Sequence, residues 1–171
     1  LRGRGFPAQE SPQSGQALLA SGSGLPWVWV CRDGFGGPAI QSEIQRLRGL
    51  QVLRPGYLPA EDLPALYSGA TFLTFVSHDE GFGLPALEAM ACGTPAVVAD
   101  RGALPEVTGD AALHADPSDP HSIAEAIARL ADDGDLRERL RERGIERARR
   151  FSWKKTAEET RSVYREALAG A

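Results

Sequence analysis

The chain has 171 residues, 42% of them apolar and 25% charged, and a formal net charge of -4, which fits a globular domain and argues against a disordered or nucleic-acid-binding chain. A chain of that length buries a core without staples, and its two cysteines, Cys31 and Cys92, give neither a disulfide framework nor a metal-site spacing; both lie in apolar stretches where a small buried thiol is expected. No apolar run reaches the roughly 20 residues of a membrane span and the first residues lack the apolar segment of a signal peptide, so a cytoplasmic setting is expected.

Residues 1–26 are rich in Gly, Ser, Pro and Gln and read as an irregular leader. From Trp27 the pattern becomes regular. Trp27 to Cys31 is a short apolar run of β-formers ahead of Arg-Asp-Gly, a buried strand entering a loop. Residues 39–48 carry apolar side chains at helical spacing, and Val52-Leu53 is a brief second strand. Leu63, Leu66, Tyr67 and Ala70 fall on one helical face, opened by Glu61, Asp62 and Pro64. Thr71 to Val76 is a third strand. Leu84 to Ala91 is a helix, with Pro85 where the first turn needs no N–H donor. Ala96 to Ala99 and Ala111 to His114 read as strands four and five. Asp119 then caps a helix that starts at Pro120 and buries Ile123, Ala126, Ile127 and Leu130. A charged helix over 135–150 and a last one over about 153–168 follow. Apolar strands alternating with helices specify an α/β domain over 27–171, a Rossmann-like, doubly wound parallel sheet covered on both faces.

The stretch that carries chemistry is Ser77-His78-Asp79-Glu80-Gly81-Phe82-Gly83-Leu84-Pro85-Ala86-Leu87-Glu88. It leaves a strand and opens a helix, so it sits at the carboxyl edge of the sheet, where such folds hold ligands. Gly81 and Gly83 allow a tight turn and close approach of a ligand. The free N–H groups of Gly83 and Leu84 lie at the positive end of the helix dipole and suit a phosphate. Glu88, about one turn into the helix, can accept from a ribose diol, and Glu80 stands on the sugar side of such a phosphate. Blander readings run alongside. Ser77-x-x-Glu80 also fits a capping box, and Glu88 also fits a solvated helix position. His78 and Asp79 read as a surface loop pair before a catalytic one, and Phe82 and Met90 as core or pocket wall.

Glu80-Gly81-Phe82-Gly83-Leu84-Pro85, continuing to Glu88-Ala89-Met90-Ala91-Cys92-Gly93-Thr94-Pro95-Ala96-Val97-Val98, resembles the E-x7-E signature of retaining GT-B glycosyltransferases, glycosyltransferase family 4 in particular. Gly56-Tyr57-Leu58-Pro59, Leu104-Pro105-Glu106-Val107 with Gly109 to Leu113, and Phe151-Ser152-Trp153 extend the resemblance over about 27–168. The resemblance implies the C-terminal, donor-binding half of a GT-B fold. It implies that Glu80 contacts the donor sugar as the catalytic carboxylate. The backbone of Phe82, Gly83 and Leu84 would hold the donor diphosphate, and Glu88 the ribose hydroxyls. Tyr57 and Leu58 would lie beside the base. The donor would be a nucleoside diphosphate sugar, transferred with retention at the anomeric carbon, and no metal or other cofactor is expected.

Two features depart from that family. Its enzymes have two Rossmann-like domains, and this chain has room for one, so the N-terminal acceptor-binding domain is expected to be absent from this chain. An inactive nucleotide-binding module is the alternative. The family's basic pair has no clear counterpart either. Arg2 and Arg4 precede the first strand, and no Lys occurs before Lys154. Residues 137–155 form a strongly basic stretch, read as a solvated face with Glu–Arg pairs, or alternatively as a peripheral contact for anionic lipid.

Overall fold

The computed structural model describes residues 25–30, 42, 45–46, 49 and 51–170. In chain order the elements are β1 (Trp27–Val28), β2 (Val52–Leu53), α1 (Leu63–Gly69), β3 (Leu73–Phe75), α2 (Leu84–Ala91), β4 (Ala96–Ala99), α3 (Leu104–Thr108), a 3-10 turn (Gly109–Ala111), β5 (Leu113–Ala115), α4 (Pro120–Asp132), α5 (Gly134–Ala148) and α6 (Trp153–Ala169). The leader to residue 24, Cys31 and most of the helix expected over 39–48 lie outside the described residues.

β4 is the centre. Its four residues are all buried, and both its neighbours are parallel, with Leu73 opposite Ala96 and Val97 opposite Leu113. Alternation from Ala96 to Val98 divides the core. Val97 joins Ala115 and the apolar stripes of α4 and α5, namely Ile123, Ala126, Ile127, Leu130 and Leu140. Ala96 and Val98 face the other way, onto Ala86 of α2, Leu104 of α3 and Ala112. A strand apolar on both faces therefore carries helices on both, as the Rossmann-like reading requires. Completely burying Ile123, Ile127 and Leu130 contributes about 1.5–3 kcal/mol each.

The sheet itself corrects one expectation. Among the described residues the strands form a three-stranded β3-β4-β5 ladder and a separate parallel β1-β2 pair, not one continuous sheet. β1 and β2 are two residues long, so their backbone contributes little ladder, and Leu25 and Trp27 reach the β4 core through side chains. β5 also begins later than expected, at Leu113, because Gly109–Ala111 is a 3-10 turn. α3 is an element that the periodicity did not announce: five residues with Pro105 in the first turn are too few to set a helical repeat. Cys92 is half-buried at the end of α2 and not fully enclosed.

The helix starts are capped as their sequences dictate. The Asp119 carboxylate accepts from the His121 N–H at 2.9 Å, that of Asp133 from the Leu136 N–H at 2.8 Å, and the Ser152 hydroxyl from the Lys155 N–H at 3.2 Å. The basic stretch along α5 is largely occupied by internal partners. Arg141 forks onto Glu138, Arg143 meets Asp110 at 3.3 Å, Arg150 meets Glu146 at 3.1 Å, and Arg137 donates to the carbonyls of Leu130 and Ala131. α6 contrasts with the rest: none of its 17 residues is buried, and Trp153, Tyr164 and Leu168 are 79%, 67% and 79% exposed. Among the described residues, no helix is long and apolar enough to cross a membrane.

α5 crosses α2 closely because Gly144 faces Met90. A Cβ at Gly144 would lie 3.2 Å from Met90 Cγ and 3.3 Å from Met90 Cβ, and Met90 is 1% exposed. Gly144→Val brings three carbons into that space. Its gain in helix propensity, a few tenths of a kcal/mol, is outweighed by overpacking of about 1–3 kcal/mol. Urea unfolding of this variant should give a lower midpoint at unchanged slope; a midpoint at or above wild type would mean that the two helices separate freely.

Candidate functional site

All three strands of the β3-β4-β5 sheet run the same way, so the segments that follow them meet at one edge. These are the 76–83 loop before α2, the 100–103 loop before α3 and the 116–119 loop before α4. Two contacts tie them together. The Ala103 N–H donates to the Glu80 carbonyl at 3.2 Å. The Arg101 guanidinium reaches Ser118 Oγ at 2.9 Å and Asp116 Oδ1 at 2.6 Å. The position that sequence reasoning gives to Glu80 to Glu88, at the carboxyl edge and opening a helix, is the position observed.

The start of α2 rests on Gly83. It is the N-cap residue, with φ 89° and ψ 47°, in the left-handed region that a side chain disfavours. A Cβ there would lie 2.4 Å from Leu104 Cδ2, and Leu104 is completely buried, so residue 83 is restricted to glycine twice over. The Gly83 carbonyl accepts from the N–H groups of Ala86 at 3.0 Å and Leu87 at 3.3 Å, which winds the first turn; Pro85 needs no acceptor. Among the described residues, the N–H groups of Gly83 and Leu84 have no protein acceptor. Gly81 lies in a bend of the chain. Its φ is not positive, and a Cβ there would meet nothing within 4 Å, so what it leaves is open space.

Glu80 is half-buried, and among the described residues its carboxylate has no hydrogen-bond or ion-pair partner. The capping-box alternative does not form, because α2 begins at Leu84 and buried Ser77 Oγ has no partner. Glu88 is exposed and accepts from the Tyr67 hydroxyl at 3.3 Å. Burial first, and the Glu88 carboxylate second, push the Tyr67 phenol up to about 12, so it remains a proton donor across physiological pH. The phenol's stabilising state is the protonated one. It is therefore fully present below pH 10 and is lost only as pH rises toward about 12.

Phe82, Tyr57 and Leu58 complete the expected set. Phe82 is 40% exposed, and its ring meets Phe151 edge-on at 5.9 Å. Phe151 lies under the Arg147 guanidinium at 5.4 Å, which also donates to the Val107 carbonyl at 2.9 Å and to that of Glu106. The ring thus ties the loop to the α5–α6 junction and leaves the Phe82 backbone at the edge. Tyr57 is 67% exposed and Leu58 half-buried, in the segment leaving β2, a strand of the other ladder. His78 and Asp79 are exposed, and Met90 is core. Three participants had no motif in the sequence: Tyr67, Gly102 with Ala103, and Arg101. For Gly102 the available signal was a glycine just after the all-apolar strand.

A parallel sheet covered on both faces, with a glycine-capped helix start at its carboxyl edge, defines a Rossmann-like α/β domain of the class that holds ligands at that edge. Residues 41–147 match the family described as glycosyl transferases group 1, and the chain belongs to that family. It is 46% identical over 110 residues to O-antigen chain mannosyltransferase B of Escherichia coli, covering 64% of this chain and 29% of that protein. It is 40% identical over 146 residues to D-inositol 3-phosphate glycosyltransferase of Acidothermus cellulolyticus, covering 78% of this chain and 32% of that one. The chain thus spans under a third of the length of these curated relatives. Among solved structures, sucrose-phosphate synthase of Thermosynechococcus elongatus superposes with a TM-score of 0.75 at 28% identity, over 94% of this chain and 43% of that one. Anabaena HepE, solved with UDP and glucose, superposes with a TM-score of 0.73 at 24% identity, over 94% of this chain and 46% of that one, a likeness of fold.

The placement of Glu80 depends on Gly102. Its φ is 61°, and a Cβ there would lie 2.9 Å from the Glu80 carbonyl oxygen and 3.2 Å from the Glu80 nitrogen, both backbone atoms. Gly102→Ala should cost about 1–3 kcal/mol, a fall in Tm of roughly 3–10 °C for a chain of this size. Calorimetric melting checks it; an unchanged Tm would mean that the two loops part without cost.

Proposed function

We propose that this domain binds the nucleoside diphosphate sugar donor of a retaining glycosyl transfer. The observation that carries the reading is the start of α2. Two backbone N–H groups without acceptors among the described residues stand between one carboxylate just before the helix, Glu80, and another one turn into it, Glu88. Membership of the glycosyl transferases group 1 family supports it, as do relatives named for sugar transfer. The N–H groups of Phe82, Gly83 and Leu84 would bind the diphosphate. Each hydrogen bond to a charged group contributes about 1.5–3 kcal/mol, and the helix dipole adds about 0.3–1 kcal/mol. Glu88 would accept from the ribose hydroxyls, and Tyr57 and Leu58 would flank the base. The open space over Gly81 gives the sugar room beside Glu80.

In the chemical step, the bond from the anomeric carbon to the phosphate oxygen breaks as the acceptor oxygen attacks from the same face. The acceptor's proton passes to the departing diphosphate oxygen. Glu80 stabilises the positive charge that develops at the anomeric carbon, and the α2 amides stabilise the negative charge on the leaving group. No metal enters this scheme. A second domain supplies the acceptor. The alternative reading, a nucleotide-binding module that turns nothing over, shares the binding half of the scheme and differs only in the fate of the sugar.

Calorimetry with UDP, GDP and ADP tests the binding half. One of them should bind, and Glu88→Ala should weaken it by about 1–3 kcal/mol, the loss of a charged hydrogen-bonding partner. Glu80→Ala should keep nucleotide affinity within about twofold, since it faces the sugar and not the nucleotide, and abolish transfer wherever transfer is assayed. Equal binding of all three nucleotides by wild type and Glu88→Ala would remove the ribose assignment.

A further inference from the structure

Resting on that reading, we infer that Tyr67 is a positioning residue for ribose recognition, holding the Glu88 carboxylate in the orientation that accepts the two ribose hydroxyls. Glu88 is exposed on α2, and an exposed glutamate samples many rotamers that each carry its carboxylate elsewhere. The Tyr67 hydroxyl, 3.3 Å from Glu88 Oε2, removes part of that freedom before a ligand arrives. A phenol donor engages one lone pair of one carboxylate oxygen. The other oxygen and the remaining lone pairs stay free to accept from a diol.

Tyr67 can do this because it is itself fixed. It lies on α1, half-buried, with its own backbone carbonyl held by a separate hydrogen bond. Thr94, 2% exposed, donates its hydroxyl to the Tyr67 carbonyl at 2.6 Å. Thr94 belongs to the turn that ends α2, where its N–H donates to the Ala89 carbonyl at 2.9 Å. The chain path from Glu88 through α2, Thr94 and Tyr67 back to Glu88 is therefore a closed loop of contacts. The α1 helix, which has no residue of its own fully buried, thereby has a place in the site. The phenol gives no charge to the ligand and needs no proton transfer; its effect is a reduction in the freedom of its partner.

The test separates positioning from folding by comparing two ligands. Calorimetry is run on the full chain with whichever of UDP, GDP and ADP binds, and with its 2′,3′-dideoxy counterpart, which lacks the diol. Wild type should prefer the ribose ligand. Tyr67→Phe should weaken the ribose ligand by about three- to tenfold and leave the dideoxy ligand unchanged, so the preference falls by that factor. Glu88→Ala should remove the preference, and Tyr67→Phe added to Glu88→Ala should change it no further. A Tyr67→Phe variant that weakens both ligands equally acts through the fold, and one that keeps the full preference has no part in recognition; either result overturns the inference while leaving the donor-site reading intact. If Glu88→Ala keeps the preference, or if none of the three diphosphates binds, the ribose reading itself fails and this inference with it.

Discussion

Gly83 holds its backbone in the left-handed region against the buried side chain of Leu104, and the carboxyl edge of the sheet is organised around that contact. Leu104 opens α3, so the residue that forbids a side chain at the start of α2 belongs to the next βα unit. The consequence is geometric. With no Cβ and a positive φ, the chain turns from strand to helix within a few residues, and among the described residues the N–H groups of buried Gly83 and exposed Leu84 are left without protein acceptors. A larger residue would have to displace the buried Leu104 side chain and adopt a left-handed backbone as well.

The loop before that glycine is restrained from three directions. Gly102 and Ala103 press on the Glu80 backbone, Phe151 holds the Phe82 ring, and Arg147 holds Phe151 while bonding the carbonyls at the end of α3. None of these supports touches the Glu80 carboxylate, which is half-buried and without a partner among the described residues. The fold thus fixes the backbone around a charge while leaving the charge available. Glu88 shows a different solution on the same helix: its position is open and its restraint comes from a neighbouring phenol.

The central part of this fold was legible from residue order alone. Ala96–Ala99 could only be a buried strand, and Asp119-Pro120 followed by Ile123, Ala126, Ile127 and Leu130 could only be a capped helix on its face. The segment from Ser77 to Pro85 was legible because two glycines lead into a proline at a helix start. What could not be read was of two kinds. One is short structure: β1, β2 and α3 are each too brief to show a period, so the division into two ladders was invisible. The other is contact between residues distant in sequence. Tyr67 reaches Glu88 across 21 positions, and Gly102 meets Glu80 from another strand's loop, and no local pattern encodes either. Of the two glycines that allow a tight turn, Gly83 uses its positive φ, while Gly81 has no positive φ and contributes open space.

α6 differs from every other long helix in what sustains it. The α4 helix is held by a buried stripe and α5 by its crossing with α2, but α6 has a Ser152 cap, a Lys155–Glu159 pair at 3.8 Å and no buried side chain. An isolated helix of this length in water is close to the balance point between winding and unwinding. Its amides should therefore exchange with solvent deuterium on a fast timescale while those of β4 stay protected up to the global unfolding limit, so that one chain carries two widely separated tiers of local stability.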